Sequence, residues 1–397
     1  MVTNKVIENI KIERVIRSLV GKVFKLNTNI YISAIIFVSL LTLQSNVVAA
    51  SEWQNILGGN GDENANSVEQ TNDLGYIIAG YTSSSDGSVS NYKGKYDYWV
   101  VKVSDDGIIE WQKCFGGNGT DSAQDIHQTN DLGYIVAGYT NSKDGDISEN
   151  KGDYDFWIIK LNETGYIMWQ KCLGGTSDDR AYDVQQTEDG GFIVAGYTAS
   201  TDGDVIGKHE GDDSIIPSTD FWIVKINATG SIQWQKCIGG SSWDAATSIL
   251  QTNSQDYLVA GWTYSNDFDI LGYQGNGDLL VVKLNSAGNI IWKNSLGGDG
   301  FDIASRILQN SEGNYILAGY TNSKTGNLTS SYGDYDVFLS LFSREGTLQW
   351  QKCYGGVDSD FAFDVNETKD KGYKITGRTY SFDISSQVYL AKTYSNG

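Results

Sequence analysis

The chain is 397 residues long, 12% aromatic and 20% charged, with 46 Gly, one Pro and a formal charge of -20. Such a composition excludes a disordered chain and suits short strands joined by tight turns. Beyond residue 50, 23 basic side chains face 47 acidic ones, a net charge of -24. That charge repels phosphate backbones and anionic lipid, so nucleic acid and membrane headgroups are set aside as partners, whereas cations and neutral polar ligands fit.

Residues 1–29 carry Lys5, Lys11, Arg14, Arg17, Lys22 and Lys25; an apolar run from Ile30 to Leu43 follows, then Val48-Ala49-Ala50. A basic stretch, a short apolar stretch and a small-residue cleavage site form the pattern of a signal peptide. Cleavage after Ala50 would leave Ser51 first; retention as an anchor is the alternative. No later apolar run is long enough to span a bilayer, so no membrane insertion is expected after signal removal. The expected location is secreted, at the cell surface or in the periplasm.

From Trp53 onward the chain repeats. Trp111-Gln-Lys-Cys-Phe-Gly-Gly117 returns at Trp169, Trp234 and Trp350, with looser copies at Trp53 and Trp292, at intervals of 58, 58, 65, 58 and 58 residues. Residues 120–173 serve as the type unit. Asp121 to Thr129 reads as a strand, Asn130-Asp131-Leu132-Gly133 as a turn in which Gly supplies positive φ, and Tyr134 to Thr140 as a second strand. A polar loop from Asn141 to Tyr154 leads to strands Asp155–Leu161 and Tyr166–Cys172, joined by Asn162-Glu-Thr-Gly165. Four short antiparallel strands per repeat mark a propeller blade.

Residues 51–57 read as a fourth strand lacking the first three, and 360–394 as three strands lacking the fourth. The expectation is therefore an all-β, six-bladed β-propeller of four-stranded antiparallel blades, the last closed by the N-terminal strand. Its blades are 62–115, 120–173, 178–238, 243–296, 301–354, and 360–394 completed by 51–57. Residues 51–397 form a single domain, expected to be a monomer; a solenoid is the competing architecture.

The run Trp-Gln-Lys-Cys-x-Gly-Gly, then Gly-Tyr-Ile-Val-Ala-Gly-Tyr-Thr, then Asp-Phe-Trp-Ile-Ile-Lys resembles exported bacterial β-propeller repeat proteins over essentially all of 51–397. Thr129-Asn-Asp-Leu-Gly133 and Thr187-Glu-Asp-Gly-Gly191 are also similar to the turns of Asp-box propellers, without their usual aromatic placement. The resemblance implies the architecture and assigns no activity.

In such blades the second-to-third and fourth-to-first connections share one end of the ring. Asp121, Asp179, Asp244, Asp302 and Asp360, with Glu63 in the sixth place, would form an acidic collar there, or accept backbone N–H bonds within their own turns. The loops holding Asp144, Asp146, Asp153 and Asp155, and Asp202, Asp204, Asp212 and Asp213, alternate Asp with Gly as calcium loops do, the alternative being solvated acidic loops. Asp144, Asp146, Asp202 and Asp204 are the candidate ligands, and calcium is the candidate cofactor. The third repeat carries seven extra residues between Asp204 and Phe221, including His209, and Trp243 lies on the next loop. Asp179, Asp204, His209, Trp243 and Asp244 are therefore the candidate ligand-binding set. No Ser-His-Asp or zinc signature is present. Cys114, Cys172, Cys237 and Cys353, one per blade, are expected to be buried and unbridged, and the Lys at 102, 160, 225, 283 and 392 to pair with carboxylates.

These features favour a non-catalytic binding or adhesion module, with a polysaccharide or an extracellular protein as partner. A glycoside hydrolase or lyase using paired carboxylates on the loop face, and a purely structural propeller of a surface assembly, are the alternatives.

Overall fold

The computed structural model describes residues 52–211, 217–328, 332–381 and 385–397. The expected export segment 1–50, and Asp212 and Asp213, lie outside them. All strands belong to the compact unit Gln54–Gly397. Blade one holds β1 (Glu63–Gln70), β2 (Tyr76–Thr82), β3 (Asp97–Val103) and β4 (Ile109–Phe115), and blade two β5 (Asp121–Gln128), β6 (Tyr134–Thr140), β7 (Asp155–Leu161) and β8 (Ile167–Leu173). Blade three holds β9 (Asp179–Gln186), β10 (Phe192–Thr198), β11 (Asp220–Ile226) and β12 (Ile232–Ile238), and blade four β13 (Asp244–Gln251), β14 (Tyr257–Thr263), β15 (Asp278–Leu284) and β16 (Ile290–Leu296). Blade five holds β17 (Asp302–Gln309), β18 (Tyr315–Thr321), β19 (Asp336–Phe342) and β20 (Leu348–Tyr354), and blade six β21 (Asp360–Glu367), β22 (Tyr373–Thr379) and β23 (Gln387–Lys392). Each is an antiparallel meander in sequence order, and together they form the expected six-bladed β-propeller.

The core lies between blades rather than within them. Ile77, Tyr98 and Phe115 of blade one meet Ile126, Trp157 and Ile159 of blade two, and the same layers recur at the next four junctions. In blades two to five the second and third strands are covered on both faces, which is why they read as continuous apolar runs.

The repeated Trp-Gln-Lys-Cys motif serves these junctions. Trp169 packs edge-on against Phe192 of the next blade and donates Nε1–H to the Ala228 carbonyl at 3.0 Å; Trp234 packs at a tilt against Tyr257 and donates to the Ser286 carbonyl at 3.1 Å. The following Gln accepts from a buried indole of its own blade, as Gln170 does from Trp157 at 2.7 Å. The cysteines form no disulfide; Cys114, Cys172 and Cys237 are buried and Cys353 half-buried. Buried Lys102 and Lys160 reach Asp73 and Asp131 at 2.9 Å, tying the third strand to the first hairpin as expected.

Two expectations are corrected. In the 130–133 turn the positive φ falls on Leu132 (65°), not Gly133. Gly133 is needed for close approach instead, since a Cβ there would lie 2.2 Å from the Leu161 carbonyl oxygen. Second, residues 52–57 form no strand, and the sixth sheet contains three strands. The layer facing blade one gives the reason. Blade five covers its neighbour with Ile316, Ala318, Val337 and Leu339, all fully buried, whereas blade six has Lys374, Thr376, Val388 and Leu390 at those positions. Two polar residues in an otherwise apolar layer remove much of the drive to close the seam.

Candidate functional site

Every first strand carries a β-bulge, at Asn66, Gln124, Tyr182, Thr247, Ser305 and Phe363. The next residues along the ring are Ser67, Asp125, Asp183, Ser248, Arg306 and Asp364, and all but Ser248 line a central cavity of about 790 Å³. A first strand has no hydrogen-bonded neighbour on its inner side, so its N–H groups need other acceptors. The ring supplies them from blade to blade. Ser67 Oγ accepts from Ile126 N at 3.4 Å, Asp125 from Val184 N at 3.2 Å, Asp183 from Ile249 N at 2.8 Å, and Ser248 Oγ from Ile307 N at 3.4 Å.

Blade five breaks this pattern with a cation. Arg306 Nη1 donates to Asp183 Oδ2 at 3.1 Å, and its Nε lies 3.8 Å from Asp364. Asp125 accepts from Ser67 Oγ at 2.8 Å and lies 3.0 Å from His127 Nε2, while His127 Nδ1 lies 3.2 Å from Glu69. Burial penalises the His127 charge, but the Asp125 and Glu69 carboxylates outweigh it and push its pKa well up. Asp125 is held low despite burial, mainly by His127 and then Arg306; Asp183 is pushed up by burial and by Asp125, against the pull of Arg306. The two carboxyl groups therefore titrate as a unit, with burial and the Asp125 charge favouring uptake of a proton by Asp183.

Asp125, His127 and Asp183 offer ligand atoms within 4.8 Å of one another. The donor set fits a divalent cation poorly, because Arg306 and His127 already balance the two carboxylates and backbone N–H groups occupy their oxygens. Elsewhere the cavity is lined by amides such as Gln124, Gln185, Gln251, Gln309 and Asn366, with Tyr182 and Phe363 among them.

At the end of the ring carrying the Gly-Gly turns, the second strands contribute one half-buried aromatic residue each: Tyr81, Tyr139, Tyr197, Trp262 and Tyr320, with exposed Arg378 in the sixth place. Each is paired with the beginning of a first strand, as Tyr197 is with Arg180 and Trp262 with Ala245. In blade three the Arg180 guanidinium lies 4.8 Å from the Tyr139 ring and 4.2 Å from the Tyr154 ring. It donates to Asp178 at 2.8 and 3.0 Å, and Tyr197 OH donates to the same carboxylate at 3.0 Å. Aromatic faces thus stand beside fixed donors and acceptors.

The residues singled out from sequence fare unequally. Asp179 and Asp244 are fully buried and belong to their turns: Asp179 accepts from Gly175 N at 2.8 Å, Ser200 Oγ at 2.7 Å and Thr198, and Asp244 from Gly240 N, Ser265 and Thr263. They are closed off from solvent, because the turn's N–H groups and hydroxyls need buried acceptors. His209 Nδ1 lies 2.8 Å from the buried Asp220 carboxylate, and its ring lies against Phe268. Trp243 is 47% exposed and donates Nε1–H to the Pro217 carbonyl, leaving its face open at the aromatic end of the ring. Asp144 and Asp202 accept backbone N–H bonds from Asn118 and Thr176, while Asp146 and Asp204 are bound by Lys93 and Lys151. The carboxylates expected to hold calcium are thus capping turns or paired with an ammonium group.

Sequence reasoning passed over Asp125, His127, Asp183 and Arg306. For Asp125, Asp183 and Arg306 the signal was a single column of the repeat, Ser67, Asp125, Asp183, Ser248, Arg306 and Asp364, in which charge changes sign between blades; His127 lies two residues beyond it.

No protein-family model matches the chain. It is similar to the regulatory protein FlaEY of Caulobacter vibrioides, 28% identical over 137 residues, which cover 34% of this chain and 14% of that protein. Among solved structures it is similar to a protein of unknown function from Dyadobacter fermentans (11% identity, TM-score 0.49, covering 85% of this chain and 96% of that one). It is also similar to one from Bacteroides caccae (11%, TM-score 0.42, 75% and 87%) and to BamB from Moraxella catarrhalis (11%, TM-score 0.34, 84% and 100%).

Proposed function

We propose that this protein is an exported, non-catalytic binding propeller that takes a carbohydrate at the aromatic end of its ring. The observation that carries the reading is the set of half-buried aromatic residues standing beside the Arg180–Asp178–Tyr197 hydrogen-bonding cluster, above an amide-lined cavity. Sugars combine apolar ring faces with hydroxyls, and such a surface serves both. The acidic net charge favours a neutral ligand. A binding role is preferred to hydrolysis because Asp125 and Asp183 are 6% and 1% exposed, and each already accepts a backbone N–H. The basic and apolar pattern of residues 1–50 supports export.

The test is a glycan array with the purified protein, followed by titration of Tyr197→Ala and Trp262→Ala. Each truncation is expected to weaken binding about tenfold, the usual effect of removing an aromatic anchor, with little change in melting temperature. Folded protein that binds no glycan class refutes the carbohydrate reading and shifts the weight to an extracellular protein partner.

A further inference from the structure

One loop of the ring carries a bulky side chain where the repeat otherwise has glycine. Between second and third strands, Gly87, Gly145, Gly203 and Gly326 all take positive φ, from 66° to 101°. Blade four has Asp267-Phe268-Asp269 in place of Asp-Gly-Asp, and Phe268 holds φ at 48°. A Cβ at Gly145 or Gly203 would lie 2.2 or 2.3 Å from the carbonyl oxygen of Gly116 or Gly174, which accepts the next N–H of the loop. Phe268 has that Cβ. The bond from Asp269 N to the Gly239 carbonyl is accordingly 3.2 Å, against 2.9 Å for Asp146 and Asp204 in the same place. A left-handed phenylalanine costs backbone strain, and little burial offsets it: Phe268 is 62% exposed, its ring centroid 4.8 Å from that of His209.

Two further apolar side chains stand exposed on the same pair of loops. Each loop buries one aliphatic residue, such as Ile147, Val205 or Ile270. The residue after it is Ser90 or Ser148 in blades one and two, but Ile206 and Leu271 in blades three and four, 73% and 74% exposed. His209 links the two loops: it follows Ile206 by three residues, meets Phe268 and lies 3.8 Å from Asp269. The patch is at the perimeter of the ring. The Ile206 carbonyl accepts from Gln235 on β12 at 2.9 Å, and Asp269 lies 3.8 Å from Lys293 on β16. Its rim is acidic, since Asp202 and Glu210 are exposed and residues 266–274 carry two Asp and no Lys or Arg.

We propose that Ile206, Phe268 and Leu271 form a docking site for a protein partner that presents an apolar side chain flanked by Lys or Arg. The chemistry of the patch selects this occupant. Its polar groups are already engaged, Asp267 with Ser241 N at 2.8 Å and Asp269 with Lys293, so aliphatic Ile206 and Leu271 are poor company for sugar hydroxyls. The net charge of -24 beyond residue 50 repels an anionic membrane and a second copy of this chain, and attracts a basic partner. Covering the three side chains on binding supplies the stabilisation that folding alone does not draw from Phe268. The site is independent of the carbohydrate reading, and a blank glycan array leaves it standing.

The test pans a display library of random peptides against the purified protein, then titrates an enriched peptide into Phe268→Gly, Leu271→Ser and, as a control, Ile108→Ser, an equally exposed site on blade one. Enriched peptides are expected to carry an aromatic or aliphatic residue beside Lys or Arg. Binding should weaken about tenfold in the first two variants and stay unchanged in the control. Melting temperature gives an independent readout. Phe268→Gly should melt a few degrees higher, because glycine takes this φ without strain. A lower melting temperature would assign Phe268 to folding and overturn the proposal. So would a library that yields no such peptides, or binding that the two patch variants leave intact. A dimer of the unmodified chain that Leu271→Ser abolishes would make a second copy the occupant, which also overturns it.

Discussion

Replacing Asp155 with Asn should stabilise this protein by an amount that grows as pH rises from 3.8 to about 6 and is constant above that. Asp155 is fully buried at the start of β7; its Oδ2 accepts from Lys151 N at 2.7 Å, and its Oδ1 has no hydrogen-bond donor. A Cβ built on Gly174 would lie 2.6 Å from both that Oδ1 and Asp179 Oδ2, so two carboxylates converge on one glycine. Burial, followed by the Asp179 charge, raises the Asp155 pKa from 3.8 to about 6. Folded Asp155 keeps its proton to about pH 6, while the unfolded chain releases it near 3.8. Between those values the folded state binds more protons, so stability falls as pH rises; below 3.8 nothing is lost, and above 6 the loss is complete. Two pKa units correspond to roughly 3 kcal/mol.

An Asn amide carries no charge and its NH2 can donate toward Asp179 Oδ2. The expected gain at pH 8 is therefore about 1–3 kcal/mol, shrinking to nothing near pH 4. Urea unfolding followed by tryptophan fluorescence at unit pH intervals from 4 to 8 measures it. A variant less stable at pH 8, or one whose offset is the same at every pH, would refute the reasoning. Asp97 and Asp278, also pushed up to about 6 by burial, should behave alike.

Gly174→Ala should cost about 1–3 kcal/mol in the same assay, because its Cβ would collide with both carboxylates. Arg306→Gln leaves Asp183 without its cation and should cost about 3–5 kcal/mol at neutral pH. The loss should lessen in acid, where Asp183 takes up a proton, so unfolding at pH 5 and pH 8 separates charge from packing. Burial pushes the Cys114, Cys172 and Cys353 thiols up to about 12, so a thiol reagent at pH 8 should label native protein slowly. Half-buried Cys353 should react first and the other three only on unfolding, as peptide mapping of labelled protein would show.

Much of this molecule could be read from one dimension because its structure is local and repeated. Strands β6 and β7 fall at the bounds that the patterns Tyr134–Thr140 and Asp155–Leu161 predict, since β-branched and aromatic runs between polar turns have few alternatives. Six copies of a motif give six blades, and four thiols in four different blades imply cysteines too far apart to bridge. The site was not legible in the same way. Recurrent Asp179 and Asp244 proved to be turn acceptors, because a residue demanded by every blade answers to the blade's own backbone.

Only the tertiary structure decided that Asp125, Asp183 and Arg306, up to 181 residues apart in sequence, share one cavity. The β-bulges and the ring's curvature bring them there, and no window of sequence carries that information. It also decided that blade six stands with three strands. The half-blades at the chain's two ends are complementary in pattern, but joining them depends on a junction in which Lys374 and Thr376 replace Ile and Ala. Pattern fixes which strands can pair; burial of the layer between blades decides whether they do.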